Sequence, residues 1–173
     1  MIRVSGPAAF QAVEKNFISR DPAKLSERPA NTIHWGKITG SDGALVDQVL
    51  VSLFRAPQSY TGQDVVEISC HGGFAVTQKV LGLLLAAGAR HAEPGEFTRR
   101  AFLNGKLDLT QAEAVLDLIH AKSERSLDIA VRQLTGSLSR TLKALKEELM
   151  RLLAHMEAYL DFPEEDLAVD VAS

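Results

Sequence analysis

The chain has 173 residues, of which 46% are apolar, which is enough for one medium domain or for one small domain with an appendage. Its 19 Lys and Arg residues against 22 Asp and Glu residues give a net charge of −3, which excludes a surface-wide field that attracts nucleic acid, so any RNA contact must be local. Cys70 is the only cysteine, which excludes an internal disulfide and a multi-cysteine zinc site and is typical of a reducing compartment, by default the cytoplasm.

No stretch of the sequence predicts a membrane segment. The longest apolar run, residues 80–87, is far shorter than the roughly 20 residues that a membrane-spanning helix needs. The N-terminus also lacks a signal-peptide pattern.

The first elements in chain order are a strand, a helix and a loop. Residues 2–4 predict the end of a strand, and we expect that the natural polypeptide continues upstream of it. Pro7 predicts the first position of a helix, where a missing amide costs nothing. Residues 21–30, with two prolines and mixed charges, predict a loop.

A hairpin and a strand-turn-helix unit follow. Residues 32–39 and 44–54 predict two strands joined by a turn at 40–43, with Val49, Val51 and Leu53 on one face of the second strand. Residues 65–70 predict a third strand, in which successive side chains alternate between the two faces. Glu67 therefore lies on one face, and Val66 and Ile68 lie on the other. After His71-Gly72-Gly73 the sequence predicts a helix with Phe74 on its apolar face and Gly88 as its left-handed cap. A short helix is predicted over residues 97–103.

From Thr110 onward the apolar residues take up helical spacing, which predicts a helical domain. Thr110 and Glu113 fit a capping box, and Ser123 fits the cap of a second, long helix. An apolar stripe about ten turns long cannot be buried by one short neighbour, so we expect an incomplete bundle or an oligomer. The stripe consists of Leu127, Val131, Leu134, Leu138, Leu142, Leu145, Leu149, Leu152, Met156 and Leu160.

Three segments combine glycine turns with polar residues that a fold does not require. They are S-Y-T-G-Q-D-V-V-E at 59–67, H-G-G at 71–73 and E-P-G-E-F-T-R-R-A-F-L-N-G-K-L-D-L-T-Q-A-E-A at 93–114. Together with residues 2–6 and 160–166 they closely resemble the MnmE (TrmE) family of tRNA-modification GTPases. The likeness fades around 19–30 and after 166.

The resemblance implies a fold and a set of ligands. It implies an α+β chain: an N-terminal mixed β-sheet domain with helices over residues 1–107, similar to the folate domain of the aminomethyltransferase, then the first part of an α-helical bundle over 108–173. The N-terminal domain is expected to form a homodimer and to bind 5-formyl-tetrahydrofolate through Arg3, Glu67 and Lys106. The intact protein is expected to act with the FAD-dependent partner MnmG on the wobble uridine of tRNA, with GTP, Mg²⁺ and K⁺ held by a G domain.

The chemistry of the three residues agrees with these implied roles. A carboxylate such as that of Glu67 can accept both the ring N–H and the exocyclic amine of a pterin. The guanidinium of Arg3 and the ammonium of Lys106 suit the glutamyl tail and the formyl oxygen, which are acceptors. Without the resemblance, Glu67 would be interpreted as a solvent-facing residue of an edge strand, and Arg3 and Lys106 as ordinary surface cations.

Two other features leave alternatives open. The His71-Gly72-Gly73 turn either seats an anion on free amides or is a structural turn, and we interpret it as a pocket wall. Arg99 and Arg100 either contact a folate tail or tRNA, or are solvated beside Glu93 and Glu96.

The sequence departs from a complete GTPase in several respects. It holds no G-x-x-x-x-G-K-[ST] motif, so the chain is not expected to hydrolyse GTP. Cys70 does not match the family's C-terminal cysteine motif and is interpreted as a core thiol. The family's glycine-rich segment that precedes Arg3 is also not in this sequence.

We assign no acid, base or nucleophile. Two other functions also fit the sequence: an independent one-carbon transferase, which would need an acid such as Asp64 or Glu96, and a purely structural dimerisation module.

Overall fold

The computed structural model describes residues 1–161, and the chain divides into two compact units, residues 1–107 and 108–173. The first unit is a five-stranded sheet with helices and the second is helical, which confirms the predicted α+β class. None of the helices described is long and apolar enough to cross a membrane.

The sheet of the first unit is antiparallel throughout. Its strands are β1 (Ile2–Ser5), β2 (Phe17–Ser19), β3 (Thr32–Thr39), β4 (Leu45–Phe54) and β5 (Val65–Ser69). Their order is β1-β5-β4-β3-β2, and each of the four pairings is antiparallel rather than mixed as expected. The hairpin prediction is confirmed as β3 and β4, and β1 and β2 form the two edges of the sheet.

One face of the sheet holds the core. Helices α1 (Ala9–Glu14) and α2 (Phe74–Ala86) contribute buried residues that pack with the inward side chains of the strands. Burial of each large apolar side chain contributes about 1.5–3 kcal/mol. The largest fully buried core side chains include Leu25, Ile38, Val49, Val51, Leu53, Val66, Ile68, Val80 and Leu84.

Two local predictions in this unit are wrong and one strand was missed. Pro7 precedes the N-cap, Ala8, so α1 begins at Ala9 instead of Pro7. Strand β2 was not predicted, since it has three residues and exists through its pairing with β3. Phe74 does not join the apolar face of α2, because it lies in the exposed first turn and is 82% exposed.

Helix α3 (Glu96–Leu103) is the last helix of the first unit. Up to residue 161, where the description ends, the second unit contains three helices, α4 (Leu109–His120), α5 (Glu124–Leu134) and α6 (Ser137–Asp161). The N-cap of α4 is Asp108 rather than Thr110, because the Asp108 side chain accepts a hydrogen bond from the Gln111 amide. The predicted cap Ser123 is confirmed at α5.

The predicted single long helix is in fact two. The chain breaks between α5 and α6, where Gly136 has a φ of +77°, a conformation that favours glycine. None of the residues of α6 is buried, and its stripe from Leu138 to Leu160 is exposed. The last part of the 160–166 motif, residues 162–166, lies outside the described residues.

Candidate functional site

Arg3 and Glu67 are directly opposite each other on the two neighbouring antiparallel strands β1 and β5. Arg3 Nε donates to Glu67 Oε1 at 2.7 Å, and Arg3 Nη2 lies 2.5 Å from the same oxygen. The Glu67 side chain is 21% exposed and that of Arg3 36% exposed. The sheet therefore holds a paired carboxylate and guanidinium on the face opposite the one that carries the core residues Val66 and Ile68.

Two aromatic rings surround this pair. The guanidinium carbon of Arg3 is 5.9 Å from the centre of the Tyr60 ring and 5.7 Å from that of Phe97. Tyr60 is tied to helix α3 (Glu96–Leu103), because its hydroxyl lies 3.0 Å from Thr98 Oγ1. Cation–π attraction therefore adds to the ion pair in holding Arg3 in place. The sequence motif contained both rings, but nothing in the sequence indicated that they meet at Arg3.

Lys106 contacts the loop between β4 and β5, which carries Tyr60. Its Nζ donates to the Pro57 carbonyl at 3.1 Å. The loop is fixed by Thr61, which is fully buried: its hydroxyl lies 2.7 Å from Ser5 Oγ, and its backbone carbonyl accepts from Asn104 Nδ2 at 2.6 Å. Within residues 1–161, Lys106 makes no hydrogen bond to Arg3 or Glu67. The structure thus brings two of the three expected ligand residues together, and the third, Lys106, contacts the loop that carries Tyr60.

A buried carboxylate network stands next to this site. Glu96 accepts from Arg90 at 2.8 and 2.5 Å, from the Glu93 amide at 2.9 Å and from Arg100 at 3.0 and 2.6 Å. The hydrogen bonds from Arg90, then from the Glu93 amide and Arg100, lower the pKa of Glu96 to about 2.

This network changes two earlier interpretations. The carboxylate of Glu96 is engaged by two arginines and its pKa is lowered, which argues against Glu96 as the acid of a one-carbon transferase. Arg100 is neither free nor merely solvated, since it also donates to Ser5 O at 3.2 Å and to Gln63 Oε1 at 3.0 Å. Arg99 remains exposed. Asp64, the other candidate acid, accepts from the Ala56 amide at 3.0 Å.

A cleft of about 380 Å³ runs along the free edge of β1. Consecutive residues of β1 line it, so the strand's backbone edge faces the cleft, and α1 and α2 supply apolar walls. Arg3 and Phe97 line this cleft, but Glu67 and Lys106 do not. The cleft therefore adjoins the Arg3–Glu67 pair rather than enclosing it.

The His71-Gly72-Gly73 turn is anchored by a buried carboxylate. Asp47 accepts from the His71 amide at 2.8 Å and from His71 Nδ1 at 2.7 Å. Desolvation alone would raise the pKa of Asp47, but the hydrogen bonds from His71 and Gln48 outweigh it and lower that pKa. The three turn residues do not line the cleft described above, and Cys70 is a half-buried free thiol against the core.

The fold and this site define an α+β domain with an arginine–carboxylate pair on an open sheet face, followed by a helical segment. Residues 1–106 match the family described as the GTP-binding protein TrmE N-terminus, and residues 109–173 match the MnmE helical domain. The chain belongs to the MnmE (TrmE) family.

Individual relatives agree with this assignment. The chain is 54% identical over 165 residues to the tRNA modification GTPase MnmE of Carboxydothermus hydrogenoformans, which covers 95% of the chain and 36% of the relative. It is 48% identical over 167 residues to the tRNA modification GTPase MnmE of Geobacillus thermodenitrificans, a match that covers 96% of the chain and 36% of the relative. The chain therefore spans about a third of the length of these curated relatives.

Proposed function

We propose that residues 1–107 bind a reduced folate, 5-formyl-tetrahydrofolate, with Glu67 accepting the pterin. The observation that supports this best is the placement of Glu67: a partly buried carboxylate in the middle of a strand, on the face opposite the core residues Val66 and Ile68. Such a carboxylate needs donors, and a pterin edge offers two of them. The rigid sheet would hold it in one orientation.

Arg3 and Lys106 supply positive charge for the acceptors of the ligand. Lys106 is bound here by a neutral backbone carbonyl, and a carboxylate forms a stronger, charge-assisted bond with an ammonium. The glutamyl tail is therefore the natural partner for this side chain. Nothing in this assignment requires a proton transfer.

We also assign the chain a place in a larger protein. The relatives are named tRNA modification GTPases, and this chain carries no P-loop motif, so GTP, Mg²⁺ and K⁺ would be bound by other segments. The folate would supply a one-carbon unit for modification of the wobble uridine of tRNA together with MnmG, in the cytoplasm. The chain itself is then a binding and dimerisation module.

The homodimer would form through the first unit. The open face of the sheet exposes Ile33, Trp35 and Leu50, with Trp35 and Leu50 directly opposite each other on β3 and β4. An apolar sheet face of this kind is typical of an interaction surface. Packing it on a second copy would remove these side chains from water.

Isothermal titration of the chain with 5-formyl-tetrahydrofolate tests the proposal. We expect saturable binding with one site per chain, and the same titration with a non-folate dicarboxylate such as glutamate as control should give no heat of binding. Absence of binding at millimolar ligand, with a folded circular-dichroism spectrum, would leave only the structural-module alternative. Turnover of the folate by the isolated chain would instead support the one-carbon transferase.

A further inference from the structure

Arg3 leaves half of the Glu67 carboxylate unused. Both of its contacts go to Oε1, and among residues 1–161 no donor engages Oε2. None of the buried side-chain oxygens and nitrogens in that part of the chain lacks a partner, so Oε2 is open to solvent. Glu67 therefore cannot make a two-point contact with a ligand while Arg3 keeps this position.

The bound group resembles the expected ligand. A guanidinium presents two N–H donors side by side from one carbon, and the 2-amino-4-oxopyrimidine half of a pterin presents its ring N–H and exocyclic amine in the same way. Both edges are planar and match a carboxylate. Arg3 thus offers Glu67 the same type of paired N–H donors as a pterin, although both of its donors here converge on Oε1, where a pterin could engage both oxygens.

We propose that Arg3 occupies the place of the pterin on Glu67 and is the residue that the ligand displaces, with Tyr60 and Phe97 as the aromatic walls that receive the pterin ring. The inference rests on the proposed folate binding. Both rings lie within 6 Å of the Arg3 guanidinium carbon, so a planar group in that position meets them as well. Stacking on aromatic side chains suits a flat heterocycle as it suits a guanidinium.

This arrangement makes Arg3 a specificity-determining residue. Displacement breaks an ion pair, and a pterin without a tail offers the freed guanidinium no anionic partner. A complete folate carries carboxylates and a formyl oxygen, so the freed Arg3 can bind the ligand itself and the lost pair is replaced. Arg3 therefore opposes binding of the pterin fragment and favours binding of the whole folate.

The experiment compares two probes, pterin and 5-formyl-tetrahydrofolate, on the wild-type chain and on Arg3→Met. We expect Arg3→Met to bind pterin about five- to tenfold more tightly than the wild type, the worth of a partly exposed ion pair, and to bind 5-formyl-tetrahydrofolate more weakly. Arg3→Gln, which retains a polar side chain, should give the same two directions if Arg3→Met does not fold. Thermal melting checks the fold of each variant.

Aromatic variants test the walls. In the Arg3→Met background, Tyr60→Leu and Phe97→Leu should each weaken pterin binding at least threefold. Phe102→Leu, a change of the same kind in the same helix, should leave it unchanged. In the wild type, the Arg3 Nε–H resonance, assigned by its loss in Arg3→Lys, should move when 5-formyl-tetrahydrofolate binds.

The results separate this inference from the proposed function. If 5-formyl-tetrahydrofolate binds the wild type but Arg3→Met binds pterin no better, or the Arg3 resonance does not move, Arg3 is not displaced and the inference is overturned alone. If neither probe binds any variant, folate binding is wrong and the inference is overturned with it.

Discussion

Glu67 lies opposite Ser52 on β4 and opposite Arg3 on β1, so its carboxylate stands on a strand that is paired on both sides. A backbone held by two neighbouring strands has little freedom to move. The charged group is therefore set in position by the sheet, and the consequences of changing it can be separated from those of unfolding.

Glu67→Gln should weaken binding of 5-formyl-tetrahydrofolate by about 1.5–3 kcal/mol, the contribution of a hydrogen bond to a charged group. The amide keeps the shape of the side chain but loses the charge and one acceptor. Calorimetry measures the change, with Glu148→Gln on the exposed face of α6 as the matched control. Equal affinities of Glu67→Gln and wild type would contradict the assignment of Glu67.

Trp35 should report the dimer directly, because it is the only tryptophan of the chain and is 47% exposed. Its fluorescence emission should shift to shorter wavelength as the protein concentration rises through the range in which sedimentation shows dimers. Leu50→Lys, which places a charge opposite Trp35, should abolish both changes, whereas Leu103→Lys on α3 should not. Association without any shift in emission would place the interface elsewhere.

Glu96→Gln should destabilise the protein at neutral pH and lose its effect in acid. The folded pKa of Glu96 is lowered to about 2 from an ordinary 4.5, so its ionised form stabilises the fold above pH 4.5. That stability is lost as the pH falls from 4.5 toward 2, where the carboxylate becomes protonated.

Melting temperatures of wild type and variant should therefore differ most near pH 7 and converge below pH 4.5. Glu93→Gln, an exposed residue three positions away, should melt like the wild type throughout. A difference that stays constant from pH 7 to pH 3 would show that the charge of Glu96 is not responsible.

Gly36→Ala should lower the free energy of unfolding by about 1–3 kcal/mol, as overpacking does. A Cβ at this position would overlap the Phe17 ring and would lie 2.7 Å from the Ile18 carbonyl oxygen. Gly82→Ala, inside α2 with open space around it, should instead stabilise by about 0.5–1 kcal/mol. Urea unfolding measures both; equal effects of the two substitutions would contradict the close packing of β2 on β3.

Leu145→Gln combined with Leu149→Gln should reduce binding of a hydrophobic dye and any association that depends on α6. Both leucines lie on the exposed stripe of a helix that has no buried residue. Lys143→Gln combined with Lys146→Gln is the control on the charged faces. Dye binding that does not change in the leucine variant would mean that the stripe is already covered in solution.

The fold class and most of the elements can be predicted from local patterns in the sequence. The alternation of Val49, Val51 and Leu53 can bury one face only of a strand, so it predicted β4 and its inner face correctly. Motifs over nearly the whole chain determined the family. Ser123 was predicted as a cap because its hydroxyl can satisfy a free amide whatever the helix packs against.

Which polar residues meet depends on how the strands and helices pack together. Arg3 and Glu67 are 64 residues apart, and their pairing depends on the register of β1 on β5, which no local pattern contains. The same holds for Glu96, whose two arginines and buried position follow from the packing of α3, and for Tyr60 and Phe97 beside Arg3. The spacing of apolar residues indicates which side of each segment is buried and which faces water. Contacts between polar groups far apart in the sequence depend instead on the order of the strands and on the packing of the helices.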